Sequence, residues 1–409
     1  MRRLRCKGLT FLAAFAAFNL FIISEYIQPR KVALSLDLVY DPPTSNPAQD
    51  LAQVPFSSTP RVLLVSALFP QIDQSLSQDK VATWTKNFLG QIETDIYLYT
   101  TKKAAPSVHA ARVPGGKLIV DTSFASPFDV HPLRGRRLVY ERMRQLDPSD
   151  NPSAERYALR NAKPFFLERA TQNVAAKAHY DYVFWVDFNA FSEHHVYQNW
   201  PDTTRLQQIW KEGTSLTDRR REDLFFFPVN DGPPKESGSW TEDLGPIDAH
   251  FAEGSFFGGP PSAVRWFASM FYAYHNHYLT LGFFIGQDDT IYNSLLLLSP
   301  SRFITVWASD PTAPARGGLP PSFVTHGPLG ACGSSSKYYQ WWLSDRATRE
   351  SMGEWWIGHG AEDDKEAVGW WKVRIACRLT RVLSAEQVLR TALGSRWKAT
   401  LPTMFRLPT

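Results

Sequence analysis

The chain has 409 residues, 44% of them hydrophobic and 14% aromatic, enough for one large α/β domain with additions or for two domains. Its formal net charge of +4 is matched by Arg2, Arg3, Arg5 and Lys7 alone, and beyond them acid and base balance. That balance gives no reason to expect nucleic-acid binding, and neither a P-loop nor a Ser/His/Asp signature occurs.

The basic tip, residues 1–7, precedes seventeen uncharged residues from Gly8 to Ser24. A run of this length sits at the short end of what spans a bilayer. A cleaved signal peptide has the same charge pattern. However, Glu25-Tyr-Ile-Gln-Pro offers no small-x-small cleavage site and the run exceeds a typical signal core. An uncleaved anchor over 8–27 is therefore expected, with the arginines cytosolic and the rest lumenal. A short span suits the thinner membranes of the early secretory pathway, so the expectation is a single-pass type II protein of the Golgi or ER. Residues 28–60, rich in Pro, Ser, Asp and Gln, read as an extended stem. Of three cysteines, Cys6 lies beside the membrane, while Cys332 and Cys377 form the one lumenal pair. Either a disulfide or two buried thiols is compatible with that pair. No Asn-x-Ser/Thr sequon with an allowed middle residue is present, since Asn151 is followed by Pro.

From Arg61 the pattern becomes globular. Strands are expected at Arg61–Leu68, Thr94–Thr100 and Lys117–Thr122, with a helix over Asp79–Ile92 carrying Trp84, Phe88, Leu89 and Ile92 on one face. A helix over Ala162–His179 leads into Asp181-Tyr-Val-Phe-Trp-Val-Asp187-Phe-Asn189, whose apolar run is broken only by Asp187. Such a run reads as a central strand buried on both faces. A carboxylate at its end is costly to bury unless it binds a cation, and strand ends are where ligands sit in open α/β sheets. An Asp capping the next turn is the plainer alternative. Further strands are expected at Asp223–Val229, at Phe251 to Gly259 and at Arg302–Trp307. Helices are expected over Ser262–Tyr278, entered through a proline pair, and from Gln287, with Asp288 and Asp289 in its first turn. The Gly/Pro-rich stretch from Ala308 to Gly333 gives way to Trp-rich helices and a basic amphipathic helix over Trp370–Leu389.

Five motifs occur in a telling order: Val-Ser-Ala-Leu-Phe-Pro70, Asn161-Ala-Lys163-Pro-Phe-Phe-Leu167, Phe-Trp-Val-Asp187, Glu253-Gly-Ser-Phe-Phe-Gly-Gly259 and Asp288-Asp289-Thr-Ile-Tyr-Asn293. In this order the chain resembles glycosyltransferases of the GT-A fold, and within them the HtrL-like family, over roughly residues 61–307. The resemblance implies an α/β fold: a GT-A-like mixed sheet flanked by helices, with a catalytic domain over 61–345 and a helical extension over 346–409. It implies a nucleotide-sugar donor and a Mn²⁺ or Mg²⁺ ion bridging its diphosphate. Oxygen ligands such as Asp187 suit these ions, which would offset charge on the departing nucleoside diphosphate. Asn189 stands where the fold usually carries a second Asp, so it brings a carbonyl ligand without charge. His326, with Lys337 and Trp341 beyond it, resembles the late His, Lys and Trp of glycogenin-type transferases. Metal ligands would then be Asp187, Asn189 and His326, and donor contacts Asp187, Asn189, Lys163, Gly258, Gly259 and Lys337.

For catalysis the candidates are Asp288, Asp289 and Glu253. Adjacent helix residues face different directions, so one of the two Asp residues at most would meet the acceptor. The other would be an ordinary first-turn acid. Glu253 stands between a surface acid and an acceptor contact, while Gly254 to Gly259 reads either as a close approach to a ligand or as a tight packing turn. His194 and His195 are weaker candidates. The expected activity is hexose transfer to a glycan, lipid or protein acceptor. A non-catalytic sugar-binding or scaffolding relative with the same fold and an anchored hydrolase, which needs carboxylates paired across a cleft, are the alternatives.

Overall fold

A computed structural model of the chain describes residues 59–72, 77–147, 153–316, 329–359 and 375–404. All of them fall in one unit, Asp50–Thr409. The expected tip, the anchor over 8–27, nearly all of the stem and His326 lie outside the described residues. Among the described residues no helix is long and apolar enough to cross a membrane.

In chain order the main elements begin with β1 (Val62–Leu68), α1 (Gln78–Phe88), β2 (Asp95–Thr100), α2 (Ala105–Ala110) and β3 (Leu118–Asp121). They continue with α3 (Arg137–Met143), α4 (Ala154–Ala175), β4 (Tyr182–Val186), α5 (Thr203–Thr217), β5 (Phe225–Phe226) and β6 (Phe256–Gly259). Next come α6 (Pro261–Leu281), α7 (Asp288–Leu298), β7 (Phe303–Thr305), α8 (Tyr338–Trp342), α9 (Arg346–His359), β8 (Leu383–Ser384) and α10 (Ala385–Leu393). The caps explain several boundaries. Helix α4 starts eight residues before its expected position because the Ser153 hydroxyl accepts the Arg156 N–H. Asp202 caps α5 in the same way, and α6 ends at Gly282 in the left-handed region at φ 81°.

The strands form one mixed sheet in the order β3-β2-β1-β4-β6-β5-β7-β8. Strands β1 to β4 are mutually parallel, whereas β6 runs antiparallel to both β4 and β5. The period-2 pleat divides the core. Val183 and Trp185 of β4 join the cluster formed with α4, α6 and α7, while Tyr182, Phe184 and Val186 join the cluster packed under α1 and α5. With both faces covered, β4 is fully buried, as its uninterrupted apolar run requires.

The reversed β6 is what builds the site. Val186 pairs with Phe256, so the residues just before β6 stand beside the carboxyl end of β4. The Asp187 N–H donates to the Ser255 carbonyl at 2.8 Å, extending that pairing by one residue. Gly258 and Gly259, expected near a donor, lie instead inside the sheet. A Cβ at Gly258 would stand 2.2 Å from the Val183 carbonyl oxygen, and one at Gly259 would stand 2.8 Å from the Leu224 carbonyl oxygen. The close approach they permit is of strand to strand.

The basic helix expected over Trp370–Leu389 is also corrected. Residues 375–382 contain no helix, β8 pairs with β7 through Ile304 and Ser384, and α10 begins at Ala385 behind a Ser384–Gln387 capping box. Arg378 and Arg381 are occupied in tying this extended segment down, through the Ala315 carbonyl and the Asp310 carboxylate respectively. Nearby, Cys332 and Cys377 form a disulfide, resolving the alternatives left open for that pair.

Candidate active site

Asp187 and Trp185 are two residues apart at the end of β4, so their side chains share a face. The Trp185 indole N–H donates to Asp187 Oδ1 at 2.6 Å. That face is the one covered by α4, and α4 is opened opposite it. Pro164 lies inside the helix and cannot donate to the backbone ladder. The Tyr272 hydroxyl from α6 enters the gap, accepting the Phe165 N–H at 3.2 Å and donating to the Asn161 carbonyl at 2.9 Å.

Lys163, immediately before that proline, is directed into the site with its side chain 9% exposed. Its ammonium donates to Asp187 Oδ2 and to the Gly254 carbonyl, both at 3.1 Å. It also lies 3.0 Å from Asp288 Oδ2, close enough for an ion pair although the angle is not that of a hydrogen bond. Burial opposes the charge on Lys163, but attraction to Asp187 and Asp288 outweighs it and raises the pKa above the ordinary lysine value.

Helix α7 supplies the facing wall. Its buried Asn293 accepts the Ala252 N–H at 2.9 Å and donates to the Ala249 carbonyl at 2.5 Å, fixing the segment that carries His250 and Glu253. Asp288 and Asp289 separate as the helical rotation requires. Asp288 is buried against Lys163, while Asp289, partly exposed, meets His250 Nδ1 at 2.5 Å. Burial, and then the neighbouring Asp288 charge, push the Asp289 pKa up, with His250 pulling it partly back. Glu253 is anchored by the Asn230 amide at 2.9 Å and the Ser255 N–H at 3.1 Å.

Together these side chains line a cleft of about 420 Å³, in which Asp187, Glu253, Asp288 and Asp289 face Lys163 and Arg160. Arg160 precedes Lys163 by three residues, so both project from one side of α4. The structure thus brings Lys163, Asp187, Glu253, Asp288 and Asp289 together. Other expected residues lie elsewhere. Asn189 is exposed and does not line the cleft. Lys337 bonds Ser192 at 2.6 Å and Glu193 at 2.7 Å, also outside it. His194 stacks near Trp355, and His195 is buried among Phe191 and Tyr197, where burial lowers its pKa to about 4. Arg160 and His250 escaped the sequence reading. Arg160 sits one turn before Lys163, a spacing that could have marked it, whereas nothing local marks His250.

The expected divalent ion can be tested against these residues. Mg²⁺ and Mn²⁺ need several oxygen ligands at one point. Asp187 has one oxygen on the Trp185 indole and the other on Lys163, and Asn189 is turned away. Among the described residues no group of three or more His, Cys, Asp and Glu is placed to hold a metal. As arranged, the cleft does not fit the ion.

No protein-family model matches the chain, and no curated protein matches it. Among solved structures, core-mannan synthase A from Aspergillus fumigatus, in its Mn/GDP form, is similar with a TM-score of 0.37 and 12% identity. The match covers 62% of this chain and 74% of that one.

Proposed function

We propose that this chain is a glycosyltransferase that moves a hexose from a nucleotide-sugar donor to an acceptor hydroxyl. The observation that carries the reading is the convergence of Lys163, Asp187, Asp288 and Asp289 in one cleft at the carboxyl end of β4. The sequence resemblance to GT-A transferases of the HtrL-like kind adds to it. In the reaction, the bond from the anomeric carbon to the diphosphate oxygen breaks and its electron pair leaves with the nucleoside diphosphate. The acceptor oxygen bonds to the same carbon and gives up its proton.

Asp289 suits the acceptor side. It is partly exposed, oriented by His250, and has a raised proton affinity. Asp288 is less suited, because it is buried against the Lys163 ammonium rather than open to an acceptor. Glu253, held by two donors, is placed to bind sugar hydroxyls. The single-pass type II topology with a lumenal domain in the Golgi or ER remains part of this reading, and the Cys332–Cys377 disulfide supports an oxidising compartment.

The test is thermal unfolding of the purified protein with a panel of nucleotide sugars. A bound donor at about 100 times its Kd adds about 2.7 kcal/mol, a clear rise in Tm. A panel in which none raises Tm would remove the donor site.

A further inference from the structure

The cleft already contains a cation supplied by the chain. Lys163 reaches Asp187 Oδ2, Asp288 Oδ2 and the Gly254 carbonyl, all within 3.1 Å, and its side chain is 9% exposed. A divalent ion shared by Asp187 and Asp288 would occupy the place of this ammonium. Displacing it would leave a buried lysine without partners next to a doubly charged ion. The remaining carboxylates are also engaged, Glu253 with Asn230 and Ser255, and Asp289 with His250. Arg160 is different. It lines the same cleft, and among the described residues it has no ion pair.

We propose that the donor diphosphate is held without a divalent cation, with Lys163 offsetting the buried Asp187 and Asp288 charges that would repel it and Arg160 gripping the phosphate oxygens. This rests on the nucleotide-sugar reading of the cleft. A guanidinium presents paired donors that match phosphate geometry, so Arg160 is suited to direct contact. Lys163 acts from beneath, its charge offsetting the two carboxylates that would otherwise repel the phosphates. The two cations project from α4 three residues apart, a spacing that lets them address one ligand together.

The experiment is calorimetric titration of the full chain with UDP, GDP and inorganic pyrophosphate, first in EDTA and then in Mn²⁺. Binding of a nucleoside diphosphate in EDTA, with affinity changed by less than about tenfold on adding Mn²⁺, is the expected result. Arg160→Gln, a partly exposed position whose loss leaves no ion pair broken among the described residues, should weaken that binding by about tenfold or more. Manganese titrated without nucleotide and followed by electron paramagnetic resonance should stay free. Binding that appears only with Mn²⁺, one tightly bound Mn²⁺ per chain, or undiminished affinity in Arg160→Gln would each overturn the proposal while leaving the donor site in place. Absence of nucleotide binding in either buffer would overturn both.

Discussion

Replacing Lys163 with Met tests whether the charged cluster under the cleft is a buried unit. Met retains the length and apolar stem of the side chain, so packing is nearly preserved. The substitution removes one ammonium and leaves two carboxylates and the Gly254 carbonyl without it. Breaking a buried ion pair by deleting one partner costs about 3–5 kcal/mol. Asp187 is 25% exposed and can be partly rehydrated, whereas Asp288, at 9%, cannot, so the lower end, about 3 kcal/mol, is expected. Urea unfolding at neutral pH, followed by tryptophan fluorescence, measures it. Adding Asp288→Asn to the Met variant removes one stranded charge and should recover about 1–2 kcal/mol. The pH dependence carries a sign as well. The Lys163 pKa is raised in the folded state, so its contribution is complete below the unfolded value of about 10.4 and is lost as pH rises through the folded value. The gap between wild type and Lys163→Met should therefore be flat across neutral pH and narrow in alkali. A loss below about 1 kcal/mol, typical of a solvated surface pair, would refute the buried triad.

Gly258→Ala should cost about 3 kcal/mol or more, because its Cβ would meet the β4 backbone at 2.2 and 2.7 Å, and backbone cannot rotate aside. Gly353→Ala in α9, with nothing within 4 Å of the new Cβ, should instead stabilise by about 0.5–1 kcal/mol; differential scanning calorimetry of both variants gives the contrast. Burial pushes the His275 pKa down to about 3, and its ring accepts the Tyr140 hydroxyl proton at Nε2 and faces the Asn276 side-chain oxygen through Nδ1. Its contribution is present above the unfolded value of about 6.5 and is lost as pH falls toward 3, so His275→Gln should flatten the acid limb of a stability profile in that window.

What could be read from residues alone followed from local rules. The apolar run of β4, the acids opening α7 and the proline pair opening α6 are each explained by burial, dipole or backbone geometry within a few residues. Helix α5 has no counterpart among the expected elements. Its apolar face is only Leu206, Ile209 and Trp210, and Gly213 within it reads as a breaker. That glycine is needed where the helix meets β7, since a Cβ there would stand 2.8 Å from the Ile304 side chain. The site divides in the same way. Asp187 was legible as a strand-end carboxylate. The choice between Asp288 and Asp289 was not, because it depends on which neighbour, Lys163 or His250, each rotates toward. Gly258 and Gly259 looked like a ligand turn because a glycine pair gives the same signal whether a ligand or a strand passes close by. The antiparallel direction of β6, a tertiary fact, decides between them.

The central claim is that the cleft turns over a nucleotide sugar with Asp289 on the acceptor side. Release of nucleoside diphosphate from UDP- and GDP-hexoses, measured for wild type and Asp289→Asn alongside donor affinity, addresses it directly. The account predicts release by the wild type, and a loss of about 10²–10⁴-fold in Asp289→Asn with donor affinity nearly unchanged. Donor that binds and yields nucleoside diphosphate equally fast with both proteins would contradict the assignment of Asp289, and failure of every donor to bind or react would contradict the transferase itself.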